Sequence, residues 1–105
     1  MMFDFLKPIN INEKIAQYKK TKDAVLLDVR TIEEYKDGHI ENSVNIPVDQ
    51  IIKIKSVAPN ANTHIFVYCH SGARATNAVH SLKKMGYTNV INSGGIIHYN
   101  EKVVK

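Results

Sequence analysis

Ile65-Phe66-Val67-Tyr68 is a run of β-forming apolar residues without polar alternation, the pattern of a strand covered on both faces. Helical spacing follows it, with apolar residues at Ala75, Ala78, Val79, Leu82 and Met85. Gly86 supplies a stop, and Lys83 and Lys84 fall in the last turn, where the helix dipole favours cations. The junction between strand and helix, Cys69-His70-Ser71-Gly72-Ala73-Arg74, contains the chain's only cysteine. A thiol is thereby placed at the carboxyl end of a strand, facing the amino end of a helix. Ligand sites of open α/β sheets form at such places.

The rest of the chain repeats this alternation. Met2 to Leu6 can form a short first strand, and Asn10 or Asn12 can cap a helix through Lys19 with Ile15 and Ala16 facing inward. Ala24-Val25-Leu26-Leu27-Asp28-Val29 reads as a central strand interrupted by one acid. Thr31-Ile32-Glu33-Glu34 fits a capping box that opens a short helix ending at Gly38. A turn and a short strand follow up to Pro47, then a helix carrying Ile51, Ile52 and Ile54. Asn89-Val90-Ile91 reads as a last strand, and Ser93-Gly94-Gly95 as a flexible turn. Strands alternating with helices predict a three-layer α/β fold around a mostly parallel sheet.

Composition bounds the function. A chain of 105 residues predicts one domain, residues 1–105, with a single core. One cysteine excludes an internal disulfide. Asp4 and Pro8 interrupt the start where a signal peptide would need an apolar run, and no stretch has the length of a membrane span. A soluble cytoplasmic protein is the expectation. The net charge of +4 comes largely from dispersed lysines, without the interleaved aromatics of a nucleic-acid surface. Neither nucleic acid nor membrane is an expected partner; a mild attraction for small anions is.

Two charged residues break the local pattern. Asp28 lies at the end of an apolar strand, where an unpaired carboxylate is costly, so an arginine or backbone amides should meet it. Arg74 places a cation in the first turn of a helix, against the dipole, so an anion should compensate it. Asp28, a bound substrate or the thiolate could be that anion, and a pair between Asp28 and Arg74 across the sheet edge is the expectation. Gly72 allows the backbone to curl so that successive amides converge as an anion nest. Amides and a cation around a cysteine favour thiolate over thiol. Without those neighbours Cys69 would read as a small apolar residue buried at a strand end. His39, His64, His80 and His98 show no metal-ligand spacing around the cysteine, so neither metal nor cofactor is expected.

Three groups of residues together resemble the rhodanese-like family over nearly the whole chain. They are Leu27-Asp28-Val29-Arg30 with Glu34-Tyr35, Gly38-His39-Ile40 and Ser43 to Pro47; Cys69 to Arg74; and Gly94-Gly95-Ile96. The resemblance implies a five-stranded parallel sheet with helices on both faces. It implies a sulfurtransferase in which Cys69 takes sulfur from thiosulfate or a related persulfide donor, by double displacement through a persulfide. The acceptor would be cyanide, a small thiol, thioredoxin or a sulfur-carrier protein. His70, Ser71, Gly72, Ala73 and Arg74 would bind the donor, Asp28 would orient the loop and Arg30 would help set the entrance. Many members carry tryptophan where this chain has Tyr99.

Two readings compete with this one. One is a phosphatase or arsenate reductase of the same fold; the related phosphatases place cysteine and arginine as C-x5-R, whereas four residues intervene here, a tighter loop that suits a sulfur atom better than a phosphoryl group. A non-catalytic binding module of the same fold is the other, and such modules often lack the cysteine.

Overall fold

A computed structural model describes residues 8–105. In chain order the elements are α1 (Ile11–Lys20), β1 (Val25–Asp28), α2 (Ile32–Asp37), β2 (Val44–Asn45), a 3-10 segment (Val48–Lys53) running into α3 (Ile54–Val57), β3 (Ile65–Cys69), α4 (Ala73–Lys84), β4 (Val90–Gly95) and a 3-10 turn (Ile96–His98). The strands form one parallel sheet in the order β2-β1-β3-β4. Among the described residues the sheet therefore has four strands, not the expected five. The strand expected at Met2 to Leu6 lies outside the described residues.

Strand alternation divides the core into two layers. Ile65, Val67 and Cys69 of β3 join Leu27, Ile54, Ala75, Ala78 and Leu82 on the face covered by α3 and α4. Phe66 and Tyr68 point the other way, where they meet Ile11 and Ile15 of α1 with Leu26 and Ile40. Every residue of β3 is buried, as its continuous apolar run requires. Three layers follow directly from this division.

The helix ends agree with their sequence signals. Asn10 caps α1 by accepting from the amides of Asn12 and Glu13. Thr31 and Glu34 form the complete capping box of α2. Gly86, with φ +103°, follows α4 in the left-handed region that glycine tolerates best.

One local expectation is overturned. Ser93, Gly94 and Gly95 continue β4 rather than forming a turn. A bulge shifts the register between Val67 and Tyr68 and leaves Ser93 as the extra residue, with Gly94 beside it at φ +86°. This extension brings Gly95 level with Cys69.

The chain moves from β1 outward to β2, then returns to the other side of β1 as β3. That reversal opens a crevice at the carboxyl ends of β1 and β3. Asp28 and Cys69 terminate those two strands.

Candidate active site

The loop after β3 is built by Gly72. It adopts φ +115°, a conformation strained for any other residue type, and turns the chain sharply into α4. No side chain caps α4 in the usual way. Instead the Cys69 Sγ accepts from the Gly72 amide at 3.0 Å and the Ala75 amide at 3.3 Å. The sulfur thus meets donors that a helix start otherwise leaves unsatisfied. The cysteine is only 1% exposed, whereas His70, Ser71 and Ala73 of the loop face solvent.

β4 and the turn after it support the loop from below. The Ile97 amide donates to the His70 carbonyl at 3.1 Å. At Gly95 a Cβ would lie 2.7 Å from the Ser71 Cα and against the His70 carbonyl oxygen. Only glycine leaves that backbone its place.

Arg74 and Asp28 are not a pair. Asp28, with no exposed surface, accepts from the Arg30 amide at 2.9 Å and from its guanidinium at 2.7 to 3.1 Å. Arg30 also donates to the Gly38 carbonyl at 2.7 Å and lies over the Tyr68 ring, 5.8 Å from its centroid. It is 5% exposed, so its guanidinium braces the end of β1 instead of lining an entrance. The reason is proximity: Arg30 leaves β1 two residues after Asp28 and turns back on it, which consumes both oxygens of the carboxylate.

Arg74 is held by Glu34 instead. Its Nη1 donates to Oε1 at 2.6 Å and its Nη2 to Oε2 at 3.0 Å, a two-pronged contact between the first turns of α4 and α2. Oε1 also accepts from the amide and hydroxyl of Thr31, each at 3.1 Å. The Arg74 hydrogen bond, joined by those from Thr31, draws the Glu34 carboxyl down to about 2, against burial. The same contact raises the Arg74 pKa.

A second buried network lies behind the loop. The Tyr68 hydroxyl accepts from the Ile40 amide and meets the Ser43 hydroxyl, both at 3.1 Å. Burial, then the Asp28 charge, pushes its pKa up, so it stays protonated.

Cys69 ends β3 ahead of α4, as its place in the sequence predicts, whereas the contacts of Glu34 with Arg74 and of the Ala75 amide with the sulfur are not among the expectations. In the sequence Glu34 is legible as half of a capping box and as part of the Glu34-Tyr35 motif, neither of which pairs it with Arg74. The demand for an anion near Arg74 is visible, but the identity of that anion is not.

The chain matches the model of the rhodanese-like domain over residues 12–102. It is 37% identical over 71 residues to the thiosulfate sulfurtransferase PspE of Escherichia coli, covering 67% of this chain and 68% of that protein. A structure of a rhodanese with anions from E. coli superposes with a TM-score of 0.74 at 34% identity, covering 78% of this chain and 98% of the other. The chain is also 35% identical over 102 residues to a tRNA uridine(34) hydroxylase of Salmonella newport, spanning 91% of this chain but only 28% of that protein.

Proposed function

The chain belongs to the rhodanese-like domain family, and on that premise we propose that it is a sulfurtransferase whose nucleophile is Cys69. The observation that carries the reading is the convergence of the Gly72 and Ala75 amides on the Cys69 Sγ. Two fixed donors aimed at one sulfur stabilise negative charge there without reorganising during reaction. The arrangement suits a thiolate and, one atom further out, a persulfide.

In the first half-reaction the Cys69 thiolate attacks the outer sulfur of thiosulfate. The donor's S–S bond breaks, sulfite leaves with the electron pair, and a Cys69 persulfide forms. Thiolate plus dianion give persulfide anion plus dianion, so charge balances. A persulfide donor reacts in the same way and releases its thiolate. In the second half-reaction an acceptor such as cyanide takes the outer sulfur, leaving as thiocyanate and restoring the thiolate. A small thiol, thioredoxin or a sulfur-carrier protein can serve in its place. The result is double displacement. The amides from His70 to Arg74 cradle the donor, while the exposed His70 and Ser71 meet it first.

No helix among the described residues is long and apolar enough to cross a membrane. The hydroxylase relative is much longer than this chain, so its tRNA chemistry is not carried over.

The test is to incubate the protein with thiosulfate and record its intact mass. One added sulfur atom, absent in Cys69→Ser and removed by cyanide, is the expected outcome. An unchanged mass with cleavage of phosphate esters would favour a phosphatase. An unchanged mass with neither activity would favour a binding module.

A further inference from the structure

The loop around Cys69 contains one permanent cation, and that cation is already engaged. Both terminal nitrogens of Arg74 are committed to the Glu34 carboxylate. Glu34 is in turn fixed by Thr31 at the start of α2, so it is held in place rather than merely nearby. Arg74 precedes Ala75, whose amide reaches the sulfur. The pair is about one-third exposed and therefore open to exchange with a ligand.

Small anionic donors meet an unfavourable arrangement here. A dianion such as thiosulfate gains from a free guanidinium but must first displace a carboxylate that matches it in geometry. It is also repelled by that carboxylate once displaced. A persulfide carries one negative charge at most on its reacting end and asks less of Arg74. Resting on the sulfurtransferase reading, we infer that Glu34 is a specificity-determining residue, and that by occupying Arg74 it biases the site toward persulfide donors over thiosulfate. In the favoured reaction the Cys69 thiolate attacks the outer sulfur of R–S–SH, the donor's S–S bond breaks as the new S–S bond to Cys69 forms, and R–S⁻ leaves with the electron pair.

Glu34→Gln tests this, because glutamine still satisfies the capping box while losing the charge. Steady-state rates are measured with thiosulfate and with a small alkyl persulfide that bears no carboxylate. The expected result is a thiosulfate KM lowered about tenfold at similar kcat, with the persulfide kcat/KM changed less than about twofold. The double variant Glu34→Gln, Arg74→Gln should lose the gain. Arg74→Lys, which cannot hold Glu34 at two points, should move the donor ratio in the same direction and guards against a misfolded first variant. If both donors load Cys69 but neither Glu34→Gln nor Arg74→Lys shifts their ratio, the role of Glu34 is overturned and sulfur transfer stands. If neither donor loads Cys69 in the native protein, the sulfurtransferase reading fails and takes this inference with it.

Discussion

Gly95 lies directly beneath Ser71, so close that a Cβ on the glycine would sit 2.7 Å from the Ser71 Cα. Real Cβ atoms do not approach other carbons this closely. The end of β4 and the active-site loop therefore form one packed unit, and the pairing of Cys69 with Gly95 sets its height.

Gly95→Ala should displace the loop. Its φ of −125° suits alanine, so the cost is steric and of the order of overpacking, about 1–3 kcal/mol. Sulfur transfer should fall at least about tenfold, because the amides no longer meet the sulfur. Gly86→Ala is a useful comparison, since a Cβ there meets nothing and only its positive φ is strained. Melting curves and kcat/KM for both variants check this: equal activity in the two would refute the supporting role of Gly95.

Asp28→Asn should destabilise the fold by about 3–5 kcal/mol, because it leaves the buried Arg30 guanidinium without its counter-charge. Adding Arg30→Leu should restore part of the loss, although the Gly38 carbonyl then lacks its donor. Urea unfolding of the three proteins measures the difference. A single variant as stable as the native chain would show that the pair contributes little.

The Glu34–Arg74 pair should make stability depend on acid pH. The Glu34 carboxyl is lowered from 4.5 to about 2 in the fold, so the folded protein releases this proton more readily than the unfolded chain. Its stabilisation is complete above about 4.5 and fades as pH falls toward 2. Both side chains are about one-third exposed, so solvent screening keeps the effect small. The Tm difference between native protein and Glu34→Gln should be largest near neutrality and shrink across that interval. A difference independent of pH would point to the cap rather than the charge.

Tyr68→Phe removes the acceptor for the Ile40 amide and the partner of the Ser43 hydroxyl. An unsatisfied buried amide costs about 1–3 kcal/mol, and the loss should appear as a lower urea midpoint. The ring stays in place, so sulfur loading of Cys69 should be retained. Hydrogen exchange at Ile40 offers a local readout, and unchanged protection there would contradict the assignment.

Much of the fold is legible from neighbours along the chain. The buried run Ile65 to Tyr68, the capping box at Thr31 and the spacing of α4 all express local physics, in which each residue responds to those within a turn or a strand pair. Ser93 to Gly95 misleads for the same reason. Small polar residues and glycines read as a turn, while pairing with β3 and the bulge at Ser93 keep them in the sheet.

The order of residues by itself determined the alternation of strands and helices, the position of Cys69 ahead of a helix, and the need for charges to neutralise Asp28 and Arg74. Only the tertiary structure decided which charges those are. Asp28 took the arginine two positions away, and Arg74 took a glutamate forty positions distant in the chain. The physical reason is that a sequence states which groups require partners, whereas distance in a folded sheet selects among them. That selection leaves Cys69 facing backbone amides, with its single nearby guanidinium already held.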